Sequence, residues 1–342
     1  MYPVFDGHND ALTRDDAADF AGGREGGHLD LPRARAGGFA GGIFALFTPT
    51  PGEHADHFTL GPDGSMEAEL DDPIGQEIAS PYATRAAGRL VALEREGHVR
   101  LVRGPGELDA AREAGVLAAV MHLEGAEAID PGLEALELWH AAGLRSLGPV
   151  WSRPNAFAHG VPFAFPRSPD TGPGLTDAGR ALVRRCAELG IAVDMSHLNE
   201  AGFWDIARLD GAPLIASHSG AHALCASTRN LTDEQLDAIG ASGGLVGIVF
   251  AVPFLRADGA DDAETPLATI VAHVRYVADR IGVEHVALGS DFDGATVPVD
   301  LGDVTGLPRL LDALAADGFG DADLRAIAWE NWRRVLERAW GA

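Results

Sequence analysis

The sequence predicts one α/β domain spanning residues 1–342, a (β/α)8 TIM-type barrel with its functional site at the C-terminal mouth and extra helices after the last strand. Three observations carry this prediction. Short apolar runs alternate with amphipathic helical patterns along the chain, which is the rhythm of parallel βαβ units. Eight such runs can be counted, and most of them end in a residue able to bind a metal or move a proton.

Taken in order, the strand candidates are VFDGH near residue 4, GGIFALFT near 41, LAAVMHLEG near 117, LRSLGPVW near 144, IAVDMSHL near 191, PLIASHS near 213, GLVGIVFA near 244 and HVALGSDFDG near 285. Punctuation between them marks helices. Thr232 with Gln235 reads as a capping box before the seventh strand. Thr265-Pro266 offers an N-cap followed by an N1 proline, and Gly282 a C-terminal stop. The tail from 307 to 340 reads as two helices, the second being the amphipathic DADLRAIAWENWRRVLERAW, which suits a closing helix better than an anchor. Two connections exceed plain turns, residues 49–81 and 152–175; on a barrel both leave C-terminal strand ends, where they can roof a site.

Composition narrows the function. With 51 acidic against 26 basic residues the formal charge is -25, which repels a phosphate backbone or an anionic bilayer. Nucleic acid and membrane surface are therefore excluded as expected partners. No run approaches a membrane span, and MYPVFDGHND lacks the basic start and apolar stretch of a secretion signal, so a cytoplasmic location is expected. The two cysteines, Cys186 and Cys225, sit in apolar surroundings as reduced packing residues. Every basic residue is arginine. Lacking lysine, the chain has no Schiff-base nitrogen, no P-loop lysine and no carboxylated lysine to bridge two metals. A paired-metal site here must use a carboxylate bridge.

His8 and Asp10 close the first strand, Glu124 the third, His197 the fifth, His218 the sixth and Asp291 the eighth. Residues i and i+2 of an extended segment share a face, so His8 and Asp10 project together while Asn9 points away. Three imidazoles and two carboxylates suit zinc, and five ligands exceed the three or four that one zinc takes. Two zinc ions sharing Glu124 account for the surplus. Asp291 is placed to shuttle the proton of a metal-activated water. By contrast Asp293, before Gly294, reads as a turn residue, His54 and His57 as solvated loop residues, and His222 as a packing or supporting group.

The motifs FDGHND, HLEG, DMSHLNE, SHSGAH, STRNLTDEQL and LGSDFDG, spaced over nearly the whole chain, resemble the renal (membrane) dipeptidase family of the amidohydrolase superfamily. The resemblance implies a two-zinc barrel, with His8, Asp10 and Glu124 on the first ion and Glu124, His197 and His218 on the second, bridged by Glu124 and a hydroxide. It further implies that Asp291 handles the hydroxide proton and that Arg229 holds the substrate's terminal carboxylate, a grip natural to a guanidinium. The implied reaction is hydrolysis of dipeptides with a free C-terminal carboxylate, D-configured C-terminal residues included. Relatives are often homodimers; the residues leave oligomeric state open.

One departure stands out. Where mammalian relatives carry a carbonyl-binding histidine, this chain has Trp151, which can donate one hydrogen bond but accept no proton. Asn155 and His159, from the following loop, are the candidate substitutes, and Trp151 itself is a candidate substrate contact. The same departure keeps open a two-zinc amidohydrolase acting on N-acyl amino acids or lactones. A metal-binding barrel without catalysis is a further alternative, against which Asp291 stands.

Overall fold

Each of the eight apolar runs contributes a parallel strand, since strands covered on both faces need apolar residues throughout instead of in alternation. The structure, a computed structural model, describes residues 2–50, 58–60, 65–68, 70–209 and 211–341. In chain order the elements are β1 (Val4–Asn9), α1 (Leu31–Gly37), β2 (Phe39–Phe47), β3 (Phe58–Leu60), β4 (Met66–Ala68), α2 (Gln76–Arg95), β5 (Val99–Leu101), α3 (Glu107–Glu113), β6 (Leu117–Glu124), α4 (Glu134–Ala142) and β7 (Leu144–Gly148). There follow α5 (Asp177–Leu189), β8 (Ala192–Val193), α6 (Glu200–Ala207), β9 (Ile215–Ser219), α7 (Asp233–Ser242), β10 (Leu245–Ile248), α8 (Ala268–Ile281), β11 (Val286–Leu288), α9 (Leu307–Ala316), α10 (Asp321–Arg325) and α11 (Asn331–Ala339).

The strands form a curled parallel arrangement in two pieces. One sheet runs β1-β2-β6-β7-β8, with β5 lying beside the first residues of β6; the other runs β11-β10-β9. Single parallel bridges join the pieces at both ends, Asp194 to Ile215 and Asn9 to Phe292. Helix α2 begins at Gln76, inside the connection expected over residues 49–81, and three other features depart from the sequence reading. Strand β5 was not predicted, because three residues give too short a pattern to stand out. The first long connection carries an antiparallel hairpin, β3–β4. Helix α8 begins at Ala268 and not after Thr265, whose hydroxyl donates back to the Asp262 carbonyl at 2.6 Å and so caps nothing. The capping box is as expected: Thr232 Oγ1 accepts from Gln235 N–H at 3.4 Å and Gln235 Oε1 from Thr232 N–H at 2.8 Å.

The space enclosed by the strands is filled from beneath by the C-terminal tail. A π-helical turn at Ala326–Glu330 precedes α11, and together they insert Trp329 and Trp332 against Phe5, Ile43, Val120 and Ala287. Trp332 Nε1 donates to the Leu288 carbonyl at 2.9 Å. Glycine is required where this ring approaches the strands: a Cβ on Gly7 would lie 2.4 Å from Trp332, and one on Gly247 3.0 Å from it. The tail is thus a closing element, as its pattern suggested. Outside the strands a second, larger apolar layer packs the helices against the sheet. Among the described residues no helix is long and apolar enough to cross a membrane.

Candidate metal centre

Parallel strands all point the same way, so the residues that end them gather at one rim. His8, at 0% exposure, lies with Nε2 3.6 Å from Asp10 Oδ2 and 3.5 Å from Glu124 Oε2. The other oxygen of Glu124 faces elsewhere: Oε1 is 3.1 Å from His197 Nε2 and 3.7 Å from His218 Nε2. The two imidazoles are 3.1 Å apart at Nε2, and the His8 ring stacks on that of His218 with centroids 3.8 Å apart. Glu124 therefore presents one oxygen to each of two imidazole groups. Potential ligand atoms cluster tightly in Glu124, His197 and His218, in His8, Asp10 and Asp291, and also in His8, Asp194 and His218.

The chemistry of this set fits cations. Both ring nitrogens of His8 are buried without a hydrogen-bond partner, as is Arg229 Nε, although buried polar atoms are nearly always paired. Burial pushes His197 down to about 4, with Arg229 adding to the effect, so this imidazole is neutral and offers a lone pair. His218 is driven well down by burial and by His8. Burial also opposes ionisation of Glu124, yet His8 and His197 outweigh it and hold the carboxyl well below its usual range. Burial, with Asp10 and Glu124 nearby, pushes Asp291 up to about 7. Three carboxyls this close, Asp10 and Glu124 buried and Asp291 half-buried, need positive charge beside them.

Asp291 sits at φ 62°, a left-handed conformation rarely tolerated without glycine, and its N–H donates to the His8 carbonyl at 3.0 Å. Asp293, at φ 71°, does occupy a turn, but its carboxylate is buried, pairs with Arg24 and accepts from His28 N–H at 2.6 Å. It ties the segment after β1 to the rim, a role the turn reading did not include. Arg229 is 4% exposed; its Nη2 donates to the His218 carbonyl at 3.2 Å and lies 3.2 Å from His197 Nε2, and no described carboxylate forms an ion pair with it.

Above the rim lies a cavity of about 1010 Å³ that reaches Asp10, Glu124, His197, Arg229 and Asp291. One side of it is aromatic. Trp151 packs on Phe47 (centroids 5.0 Å apart) and on Phe163 (5.6 Å), Phe163 stacks on Phe254 (5.8 Å), and Arg229 lies over Phe254 at 5.4 Å. Trp151 thus lines the cavity. Asn155 and His159 are not among the residues lining it. The side-chain amide of Asn155 donates to the Pro149 carbonyl at 2.9 Å and accepts from Phe157 N–H at 2.8 Å, bracing its own loop. His222 contacts the Arg167 carbonyl at 3.0 Å and braces a loop. His54 and His57 lie outside the described residues. Cys186 and Cys225 are buried and free, and burial pushes each thiol up to about 12.

Sequence reasoning missed Phe47, Phe163, Phe254 and His28, all of which line the cavity, and Ser152, whose hydroxyl lies 2.8 Å from His197 Nδ1. It also missed Asp6, His122 and Asp194, buried polar residues just outside the ligand set. The signal for Asp6 was present: it stands two residues before His8 and so shares its face.

Residues 1–340 match the family model described as membrane dipeptidase, peptidase family M19. Among solved structures, a metallopeptidase from Rhodobacter sphaeroides bound to a phosphinate mimic of the dipeptide L-Ala-D-Ala superposes with TM-score 0.96, at 49% identity and covering 99% of this chain and 100% of that one. A dipeptidase of metallopeptidase family M19 superposes with TM-score 0.95, at 50% identity over 100% and 99% of the two chains. A fungal relative, dipeptidase tcpJ of Claviceps purpurea, is 29% identical over 313 residues, 91% of this chain and 69% of its own.

Proposed function

This chain belongs to the membrane dipeptidase family, peptidase family M19, and from that premise we propose that it is a zinc-dependent dipeptidase built on a closed (β/α)8 barrel. The observation that carries the reading is the split carboxylate of Glu124, with one oxygen toward His8 and the other toward His197 and His218. His8, Asp10 and Glu124 would hold one zinc, and Glu124, His197 and His218 the second. Bound there, the two ions supply Lewis acidity, polarising the scissile carbonyl and acidifying the attacking water.

The remaining steps fall to side chains. Arg229, buried and lacking a carboxylate partner among the described residues, takes the C-terminal carboxylate of the substrate and so sets the reach of the scissile bond from the rim. Asp291 accepts the proton of the attacking water and passes it to the leaving amine, a task suited to a carboxyl whose burial has raised its affinity for protons. The aromatic side of the cavity excludes water and receives the apolar parts of the substrate. Dipeptides ending in a D-residue belong to the expected range, in keeping with the L-Ala-D-Ala mimic carried by the Rhodobacter neighbour.

Trp151 favours one second reading, a two-zinc amidohydrolase of N-acyl amino acids, because the apolar indole at the cavity suits an acyl chain as well as an amino-acid side chain. A stereochemically complete dipeptide panel assayed beside N-acyl amino acids and lactones, with metal analysis of the same preparation, tests both. Turnover confined to the acylated substrates would replace the dipeptidase reading.

A further inference from the structure

Where the two sheets meet, side chains take the place of a strand ladder. Beside the Asp194–Ile215 bridge, Asp194 Oδ1 accepts from Ser217 N–H at 2.8 Å and Oδ2 from Ser217 Oγ at 2.5 Å. Beside the Asn9–Phe292 bridge, Asp6 Oδ1 accepts from Ser290 N–H at 2.7 Å and Oδ2 from Ser290 Oγ at 2.8 Å. The same two-point clasp thus occurs twice, on buried carboxylates. Each clasped serine directly precedes a residue of the centre, His218 in one case and Asp291 in the other.

The first clasp constrains its neighbour further. Besides Ser217, Asp194 Oδ1 accepts from Ser196 N–H at 3.1 Å and from Ser196 Oγ at 2.7 Å, so the carboxylate is surrounded by donors and accepts only. The single proton of the Ser217 hydroxyl is committed to it. Ser217 Oγ also lies 2.8 Å from His218 Nδ1, and with its own proton spent it can only accept there. His218 must then carry its proton on Nδ1 and present a bare Nε2 toward Glu124. Ser196 Oγ adds a bond from His218 N–H at 3.1 Å, fixing the backbone of the same residue.

We propose that Asp194 and Ser217 are positioning residues that set the tautomer and orientation of His218. This rests on reading His218 as a metal ligand. Hydrogen-bonded partners behind a ligating imidazole typically change metal affinity tenfold to a hundredfold.

The test uses the full chain labelled with 15N-histidine, before and after zinc loading, as wild type, Ser217→Ala, Ser217→Thr and, to identify the signal, His218→Gln. Two-bond proton–nitrogen correlation should show wild-type His218 protonated at Nδ1, a mixture of tautomers in Ser217→Ala and recovery in Ser217→Thr. Cobalt titration should show roughly tenfold to hundredfold weaker binding of one ion in Ser217→Ala, with a changed visible spectrum, and recovery in Ser217→Thr. An Nε2-protonated His218 in wild type, or cobalt affinity and spectrum unchanged in a folded Ser217→Ala, overturns the inference. Failure of the underlying metal reading would look different, as a wild-type chain that holds no cobalt while its tautomer still responds to Ser217.

Discussion

The floor and the aromatic wall of the cavity are made by different means. The floor comes from strand ends, is ionic and buried, and its residues are fixed by backbone and carboxylate bonds, as Asp291 is to the His8 carbonyl. The wall comes from the last residue of β2 and from the connections after β7 and β10, and holds together by ring contacts among Phe47, Trp151, Phe163 and Phe254. Floor geometry is therefore set by a sheet that cannot shift without breaking a ladder, whereas the wall can be repacked one ring at a time. Chemistry should depend steeply on the floor and selectivity gently on the wall.

Glu124→Ala is the strongest way to test that contrast, since it removes the oxygen facing each imidazole group; metal analysis should find both ions lost and dipeptide turnover reduced roughly 10⁴-fold or more. Asp291→Asn should keep both metals yet lower kcat roughly 10² to 10⁴-fold, and unchanged turnover would remove Asp291 from the mechanism. His273 joins floor to wall, its Nδ1 accepting from Ala221 N–H at 3.0 Å and its Nε2 donating to the Leu255 carbonyl at 3.0 Å, beside Phe254. Burial pushes it down to about 4, so the fold requires the neutral ring. The unfolded chain takes up a proton below about 6.5, hence stability present at neutral pH is lost as pH falls from 6.5 toward 4, by about 3 kcal/mol. Denaturant melts at pH 7 and 4.5 of wild type and His273→Gln measure this, the variant showing the flatter dependence.

Arg229→Ala, at the boundary of the two regions, should raise KM for free dipeptides by about tenfold to a hundredfold and leave C-terminally amidated substrates little affected. Smallest is the wall itself: Phe163→Ala should change kcat/KM by roughly tenfold or less, altering the ranking of substrate side chains while metal content stays constant. A loss there as large as that of Asp291→Asn would erase the distinction between floor and wall.

The same division explains what could be read in the sequence. Floor residues advertise themselves because ionisable groups at the ends of apolar runs are costly unless used, and His8, Asp10, Glu124, His197, His218 and Asp291 all meet at one rim. Wall residues carry no such mark. Phe47, Phe163 and Phe254 look like ordinary core residues, and only the return of two distant connections to the end of β2 makes them neighbours. Asp194 was hidden for another reason: β8 is only two residues long, so a buried carboxylate beside it reads as the end of a strand instead of its fastening. Asn155 was legible as a polar loop residue but not as one whose capacity is spent on its own loop.

The two buried thiols have a practical corollary. Both are displaced to about 12, so neither is a thiolate at neutral pH, and electrophilic dyes should pass them by. A cysteine introduced at Val299, which is 51% exposed and borders the cavity, would then take up label alone. A single label at the entrance, on a chain that takes label nowhere else, converts arrival and departure of substrate into an optical signal.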